Sequence, residues 1–387
     1  MKSKLKSYGR QSIDEEDIKA VSDVLRSDFL TTGPKVAEFE QKFANYVRSK
    51  YAVAVSSGTA ALHVACLAAG LKENDELITT PMTFAASANC ALYCGAKPVF
   101  VDIHPETGLI DETKIENKIT KQTKIIIPVH YSGLSCEMEK IRKIAKKHRL
   151  IIIEDACHAL GAKYKKSKIG DCRYSDMAVF SFHPVKHITT GEGGMITTNS
   201  KELYEKLKVF RNHGIVREPK KLISRNEGPW YYEMQELGFN YRITDFQCAL
   251  GLSQLKKVDG FINKRREIAK RYNDAFGNQQ DLEIIREKEE QFNSYHLYII
   301  KTSSRKNRLL LFERLKEKGI SCQVHYIPVY WHPHYQKLGY KKGACPNAEN
   351  FYNQIISIPM YPTLNRKEQE FVIKTIKKSI KEAEESR

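Results

Sequence analysis

Residues 181–194 read Ser-Phe-His-Pro-Val-Lys-His-Ile-Thr-Thr-Gly-Glu-Gly-Gly and place one lysine in a turn directly after an apolar run. The run, Met177 to Phe180, is typical of a buried strand, and Lys186 follows it beside His183 and His187. Neighbouring cationic or desolvating groups lower the pKa of a lysine and make it a better nucleophile. The segment predicts a lysine that forms a Schiff base, although taken alone it fits a solvated surface lysine equally well.

A second apolar run, Leu150 to Ile153, ends in Glu154 and Asp155. Such a continuous run is typical of a parallel strand that is covered on both faces. Ligands of open α/β sheets bind outside the carboxyl ends of the strands, where we expect Asp155. Pyridoxal phosphate requires a lysine and an acid that keeps its pyridine nitrogen protonated, and Lys186 and Asp155 supply this pair. Asp155 by itself would also fit a helix N-cap.

Residues 51–62 predict a strand, a tight turn and a helix rich in alanine. Free amides and the positive end of the helix dipole bind phosphate at such a turn, and Gly58 lets the backbone come close. Ser57 and Thr59 add hydroxyl donors. The alternative is a capped core helix without a ligand. A Walker P-loop is excluded, because no Gly-Lys-Ser/Thr follows.

Strand and helix patterns alternate from residue 51 to about 200, which predicts a mainly parallel central sheet. Shorter strands and helices follow from about residue 250. We therefore expect a large α/β domain over 1–250 and a smaller α+β domain over 251–387. Other predicted helices cover 14–26 (with Ser12 as cap), 136–148, 246–272, 307–318 and 366–384, and other predicted strands cover 124–129, 294–301 and 321–325. The strands at 124–129 and 150–153, with the helix between them, predict a right-handed βαβ unit.

The net charge of +17 over 387 residues raises nucleic acid as a partner. Lysines are spread through both halves, however, and there is no basic tail, RNP motif or zinc finger, so we expect no nucleic-acid partner. The charge suits anionic ligands such as a cofactor phosphate and a nucleotide diphosphate.

Cellular location is predicted from the apolar runs and the cysteines. No stretch approaches the roughly 20 apolar residues that cross a bilayer, so we expect no membrane association. The basic start of the chain has no apolar segment after it, so we expect no secretory signal. Nine scattered cysteines suit reduced thiols in the cytoplasm. Cys90 and Cys94 lack a second pair, and His332 and His334 lack a third ligand, so we predict no metal site.

Over nearly its whole length the chain resembles the DegT/DnrJ/EryC1/StrS sugar aminotransferases. The resemblance rests on Ser57-Gly58-Thr59, Thr80-Pro81-Met82-Thr83-Phe84, Glu154 to Gly161, Ser181 to Lys186, Glu192-Gly193-Gly194, Gly238-Phe239-Asn240-Tyr241-Arg242 and His325-Tyr326-Ile327-Pro328. It implies the type I fold of pyridoxal-phosphate enzymes, like that of aspartate aminotransferase. It also implies pyridoxal 5'-phosphate as cofactor.

The resemblance also implies roles for single residues. Lys186 would be the catalytic lysine and would shuttle the proton during transfer. The cofactor would be held by Gly58, Thr59, Phe84, Asp155, His158, Ser181 and Asn240. Phe84 would stack on the cofactor, although it also fits an ordinary core aromatic. His158 stands where the family often has glutamine, which leaves its role open.

Asn240 resembles an asparagine that reaches into the neighbouring subunit's site, which implies a homodimer with shared sites. The alternative for Asn240 is a turn residue. Substrate contacts are implied for Tyr8, Leu30, Thr31, Ser57, His325, Tyr326, Ile327 and Pro328.

The implied reaction transfers an amino group from L-glutamate to C4 of a UDP-linked 4-keto-6-deoxy-N-acetylhexosamine. Sugar dehydratases of this group carry histidine at the lysine position, but the motif aligns Lys186 there, so transamination is favoured. The alternatives are an aminotransferase for another keto-sugar (perosamine, bacillosamine or 4-amino-arabinose type), a non-catalytic cofactor-binding sensor, and a basic nucleic-acid-binding protein.

Overall fold

The structure is a computed structural model that describes residues 7–224, 227–279 and 281–384. The prediction that no secretory signal begins the chain rests partly on residues 1–6, which lie outside the described residues. Within the described ranges, we found no helix with the length and apolar character needed to cross a membrane.

The helices are α1 (Glu15–Leu25), α2 (Pro34–Val47), α3 (Gly58–Ala68), α4 (Ala86–Tyr93), α5 (Met138–His148), α6 (Lys201–Arg211), α7 (Asp245–Phe276), α8 (Arg305–Glu317), α9 (Pro333–Lys337), α10 (Pro346–Gln354) and α11 (Arg366–Glu384). The strands are β1 (Tyr51–Val55), β2 (Glu76–Thr79), β3 (Lys97–Phe100), β4 (Thr123–Ile127), β5 (Ile151–Asp155), β6 (Lys163–Tyr164), β7 (Ser167–Lys168), β8 (Met177–Ser181), β9 (Gly194–Thr198), β10 (Ile215–Val216), β11 (Glu233–Met234), β12 (Leu282–Ile284), β13 (Gln291–Phe292), β14 (Tyr298–Thr302) and β15 (Ile355–Ile358). Short 3₁₀ helices cover Glu112–Lys114, Glu116–Lys118, Tyr131–Gly133, Pro219–Lys221 and Val329–Trp331.

The central sheet has seven strands in the order β1-β9-β8-β5-β4-β2-β3. Strands β8, β5, β4, β2 and β3 are parallel, and β9 is antiparallel to both of its neighbours, β1 and β8. Ile125, Ile126 and Ile152 are completely buried, as expected for strands with helices on both faces. The predicted mainly parallel sheet is confirmed, and β4, α5 and β5 form a parallel βαβ unit, whose right-handed sense stays a prediction.

A second, three-stranded antiparallel sheet (β12-β14-β15) packs with α8 and α11 around its own apolar core. Helix α7 contacts both parts of the structure. It packs on α1 and on α2, which lies against β1 of the central sheet, and it also contacts β12 of the second sheet. The predicted domain boundary at residue 250 falls inside this helix. The division into domains 1–250 and 251–387 stays a prediction.

Two local predictions are wrong. The N-cap of α1 is Asp14 and not Ser12, because the carboxylate of Asp14 accepts hydrogen bonds from the backbone of Glu16 and Asp17. Residues 321–325 form no strand, because Gln323 makes a single antiparallel bridge to Ser357 before the chain turns away from β15.

Candidate active site

Lys186 lies in the turn that follows β8, and this turn is closed by backbone hydrogen bonds. The Phe182 N–H donates to the carbonyl of Gly193 over 2.8 Å, and the Lys186 N–H donates to the carbonyl of His183 over 2.9 Å. Burial lowers the pKa of Lys186, and its neighbours Cys157 and Asp155 oppose this shift in part. A lowered pKa increases the fraction of neutral amine, which is the nucleophilic and proton-accepting form.

Asp155 is the last residue of β5 and is held by two hydrogen bonds. Ser87 Oγ donates to Oδ2 over 2.6 Å, and the Cys157 N–H donates to Oδ1 over 3.1 Å. Turns and not a helix follow Asp155, so the alternative of a helix N-cap is wrong. Because successive strand residues face opposite ways, Glu154 points to the other side of the sheet, where it lies 2.7 Å from His130.

The predicted strand, turn and helix at residues 51–62 are confirmed as β1, a short turn and α3. Ser57 caps α3 by accepting a hydrogen bond from the Ala60 N–H over 3.0 Å. A Cβ atom on Gly58 would lie 2.8 Å from Cβ and 3.2 Å from Oγ of Ser181, so the end of β8 faces the first turn of α3. The Gly58 and Thr59 amides and the Ser181 hydroxyl are therefore neighbours at the positive end of a helix dipole.

These residues fit pyridoxal phosphate. A desolvated lysine, a fixed carboxylate and a helix N-terminus with a glycine at its close approach to Ser181 follow the carboxyl ends of β8, β5 and β1 in one sheet. The phosphate would be held by Gly58, Thr59 and Ser181, and the ring nitrogen by Asp155. The bound cofactor supplies an electron sink. Within this arrangement Asp155 would keep a proton on the ring nitrogen, and Lys186 would accept and return the proton of the substrate carbon.

Three buried histidines near Lys186 form a cluster. The ring centroid of His296 lies 4.3 Å from that of His158 and 5.8 Å from that of His187. Burial, followed by the positive charge of Lys186, holds the pKa of His158 and of His296 well below the usual value. Burial does the same for His187, whose Nε2 lies 3.1 Å from the carbonyl oxygen of Ser294. These rings are therefore neutral at physiological pH.

The predicted substrate segment, residues 325–328, runs from the smaller sheet to the histidine cluster. Tyr326 Oη lies 3.0 Å from Nε2 of His158, and the Tyr326 ring is 6.2 Å from Phe84. The His325 ring lies 5.2 Å from that of Tyr8. Phe84 is 62% exposed, so the alternative that it is a core aromatic is wrong. Ile327 is exposed and Pro328 is buried.

Leu30, Thr31 and Asn240 are exposed on the surface of the chain. The carbonyl of Leu30 accepts a hydrogen bond from the Asp245 N–H over 2.9 Å, and Thr31 pairs with Thr244 at the start of α7. Asn240 is exposed and pairs with Asn212. The roles implied for these three residues stay predictions.

Sequence reasoning missed three residues of this site: Ser87, His296 and Cys157. Ser87 stands in an apolar helix and His296 before an apolar strand, so neither position carried a signal. Cys157 could have been found, because it lies between Asp155 and His158 in the quoted motif.

One group of side chains has the composition of a metal site. Single ligand atoms of His104, Asp111 and Glu112 all lie within 4.8 Å of one another. Both carboxylates are already neutralised, because Lys114 lies 3.0 Å from Asp111 and Lys140 lies 2.8 Å from Glu112. The nine cysteines are all free thiols.

Comparison with known proteins agrees with this geometry. The model of the DegT/DnrJ/EryC1/StrS aminotransferase family matches residues 11–377. The chain is 42% identical over 375 residues, which is 96% of each chain, to the UDP-4-amino-4,6-dideoxy-N-acetyl-beta-L-altrosamine transaminase of Campylobacter jejuni subsp. jejuni serotype O:23/36.

Two solved structures have the same fold. PseC of Helicobacter pylori, an aminotransferase involved in the biosynthesis of pseudoaminic acid, superimposes with a TM-score of 0.91 at 36% identity, over 98% of this chain and 100% of that one. The PLP form of the putative sugar aminotransferase Spr1654 of Streptococcus pneumoniae also has a TM-score of 0.91, at 30% identity over 98% of this chain and 99% of that one.

Proposed function

The chain belongs to the DegT/DnrJ/EryC1/StrS aminotransferase family, and we propose that it transfers an amino group from L-glutamate to the C4 keto group of a UDP-linked 2-acetamido-2,6-dideoxyhexos-4-ulose. It is a sugar aminotransferase that uses pyridoxal 5'-phosphate. What we propose beyond this family-level function is the identity of the sugar, L-glutamate as the amino donor, and a role in pseudaminic acid biosynthesis. Its support is the 42% identity, over 96% of both chains, to a transaminase named for a UDP-linked amino sugar.

The observation that carries transamination is the pair of Lys186 and Asp155. Burial lowers the pKa of Lys186, and the charge of Asp155 acts on it. A dehydratase would not need an amine here, and a sensor that only binds the cofactor would not need a lysine with a lowered pKa. The amino group leaves glutamate in one half-reaction and reaches the sugar in the other, so we expect ping-pong kinetics.

The sugar nucleotide is proposed to bind between the segment 325–328 and the N-terminal residues Tyr8, Leu30, Thr31 and Ser57. The contacts of Tyr326 with His158, and of His325 with Tyr8, support this position for the segment. Leu30, Thr31 and Asn240 are exposed in one chain, which suits residues that act at a subunit contact. We propose a homodimer in which Asn240 completes the neighbouring site. We also propose a cytoplasmic location, which suits the nine free cysteines.

The test is the visible absorption spectrum of the cofactor-loaded protein. L-Glutamate should remove the visible band, and the UDP-4-keto-N-acetylhexosamine should restore it. The Lys186→Ala variant, loaded in the same way, should show neither change. If the band responds to glutamate but returns only with a different keto-sugar, the sugar assignment is wrong and a perosamine, bacillosamine or 4-amino-arabinose type takes its place. A band that ignores every amino donor would overturn transamination.

A further inference from the structure

Ser357 lies on β15, behind the substrate segment, and is completely buried. Its hydroxyl oxygen lies 2.8 Å from Nδ1 of His325. Its backbone pairs with Gln323 in both directions: the Ser357 N–H donates to Gln323 over 2.7 Å, and the Gln323 N–H donates to Ser357 over 3.1 Å. Ser357 thus holds the segment by its backbone and the ring of His325 by its side chain.

The hydrogen bond selects one tautomer of His325. A serine hydroxyl has one proton to donate, and no other acceptor for the Ser357 hydroxyl is found in the described part of the chain. If Nδ1 carried the ring proton, the buried Ser357 hydroxyl would be left without an acceptor, which is costly. The hydroxyl therefore donates to Nδ1, and the ring proton of the neutral His325 lies on Nε2.

The position of the ring directs that proton toward the site. Nδ1 faces β15, so Nε2 lies on the side of the ring that faces away from Ser357, and the centroid of the ring lies 5.2 Å from that of Tyr8. The carbonyl of His325 is held separately, by the hydroxyl of Tyr131. Burial, followed by the charge of Lys186, lowers the pKa of His325 to about 4, so the ring is neutral at physiological pH. Within the described residues, Nε2 has no hydrogen-bond partner.

We propose that Ser357 is a positioning residue that fixes the tautomer of His325, so that Nε2–H donates a hydrogen bond to an oxygen of the sugar nucleotide. This inference rests on the proposed function, because the ligand that it names is the substrate of that reaction. It assigns to Ser357 a part in substrate binding, although the residue itself does not touch the substrate.

The experiment combines nuclear magnetic resonance with steady-state kinetics on the cofactor-loaded enzyme. Two-bond ¹H–¹⁵N correlations of ¹⁵N-histidine-labelled protein identify the protonated ring nitrogen, and a His325→Gln variant assigns the signals of that ring. We expect His325 to be protonated at Nε2. In Ser357→Ala the two tautomers should mix, and KM for the UDP-keto-sugar should rise about 2-fold with kcat unchanged, because only the tautomer with the proton on Nε2 can donate the hydrogen bond.

Two further variants separate positioning from structural support. Ser357→Thr keeps the hydroxyl and should retain both the tautomer and KM. Thr302→Val is the matched control: it removes a buried hydroxyl from the adjacent strand β14, where Thr302 donates to the carbonyls of Ser304 and Gln354 over 3.0 and 3.1 Å. It should change neither the spectrum of His325 nor KM.

A His325 protonated at Nδ1 in the unchanged enzyme would overturn the proposal. So would a Ser357→Ala enzyme with altered tautomers but an unchanged KM. Failure of the proposed function looks different. In that case the unchanged enzyme turns over no UDP-keto-sugar, while the resonance measurement, which needs no substrate, still decides whether Ser357 sets the tautomer.

Discussion

Ser87 donates a hydrogen bond of 2.6 Å to Oδ2 of Asp155, from the first turn of α4 to the end of β5. A carboxylate only accepts hydrogen bonds, so the proton of this pair belongs to Ser87. Thr83 Oγ1 lies 2.7 Å from Ser87 Oγ. Because Ser87 donates its single hydroxyl proton to Asp155, Thr83 must be the donor in the hydrogen bond between the two hydroxyls. The loop before α4 thereby fixes the carboxylate that would face the cofactor ring.

Replacement of Ser87 by alanine should weaken cofactor binding. Asp155 would keep the hydrogen bond of 3.1 Å from the Cys157 N–H and lose the shorter charge-assisted one, of 2.6 Å, from Ser87. We expect the Kd for pyridoxal phosphate, measured by fluorescence titration of the apoenzyme, to rise about 10-fold, in keeping with 1.5 kcal/mol for such a bond.

The matched control is Ser175→Ala. Ser175 is also buried and also donates to a carboxylate, that of Glu154, on the opposite face of β5. It should leave the affinity for the cofactor unchanged. If the Ser87→Ala enzyme bound pyridoxal phosphate as tightly as the wild-type enzyme, the role given to Ser87 would be wrong.

Asp155 could be predicted from the sequence as a residue of this site, whereas its hydrogen-bond partner Ser87 could not. Lys186 and Asp155 could be predicted because each follows a buried strand, and parallel strands bring their carboxyl ends to one edge of a sheet. Ser87 stands 68 residues before Asp155, in a helix of small apolar residues, and only the packing of α4 against the sheet brings it there. His296 depends on tertiary structure in the same way, because its neighbours His158 and His187 are more than 100 residues away in the sequence. The residue before it, Tyr295, also adopts a positive φ of 50°, which the sequence does not signal.

Gly58→Ala should damage phosphate binding through steric overlap. The new Cβ would lie 2.8 Å from Cβ of Ser181, so either β8 or the first turn of α3 must move. We expect the Kd for pyridoxal phosphate to rise by 10-fold or more, since a displaced turn misdirects the amides that face the phosphate.

Gly260→Ala is the control for Gly58→Ala, because Gly260 also lies in a helix and has open space around its Cα. It should raise the free energy of unfolding by about 0.5–1 kcal/mol and leave the affinity unchanged. Ser181→Gly removes the overlap together with a hydroxyl that would hold the phosphate, so the double variant Gly58→Ala/Ser181→Gly should bind the cofactor no more weakly than Ser181→Gly alone. Weaker binding by the double variant than by Ser181→Gly would show that overlap with Ser181 is not the cause of the loss.

Asp245 should matter for stability, because it caps a helix to which it does not belong. Gly33, the N-cap of α2, offers no side chain, and the carboxylate of Asp245 accepts hydrogen bonds from the Gly33 and Lys35 amides over 2.7 and 2.9 Å. Asp245 is completely buried. We expect Asp245→Ala to lower the free energy of unfolding by about 2–3 kcal/mol, measured by urea denaturation.

Asp14→Ala removes the exposed cap of α1 and provides the comparison for Asp245→Ala. It should cost about 1 kcal/mol. Equal losses in the two variants would show that the carboxylate of Asp245 contributes no more than an ordinary surface cap.

The buried histidines should make the apoprotein sensitive to mild acid. Burial lowers the pKa of His325 to about 4 and holds that of His158, His187 and His296 well below the usual value. In the unfolded chain these groups take up protons near pH 6.5. Below that pH the unfolded state binds more protons than the folded state, so stability falls as the pH decreases from 6.5 toward 4. Each histidine contributes up to about 1.4 kcal/mol per pH unit.

The measurement is the free energy of unfolding of the apoprotein by urea at several pH values from 7.5 to 5.0, above the range in which ordinary carboxylates titrate. His104 does not contribute to this decrease in stability below pH 6.5. Its hydrogen bond with Glu112 raises its pKa, so its effect on the free energy of unfolding changes with pH only above about 6.5. His296→Gln should reduce the slope by about 1.4 kcal/mol per pH unit. Tyr298→Phe, which removes a buried group whose pKa is raised by burial, should leave the slope unchanged. A slope that His296→Gln does not alter would mean that His296 accepts a proton in the folded protein, and that the ring beside His158 is charged.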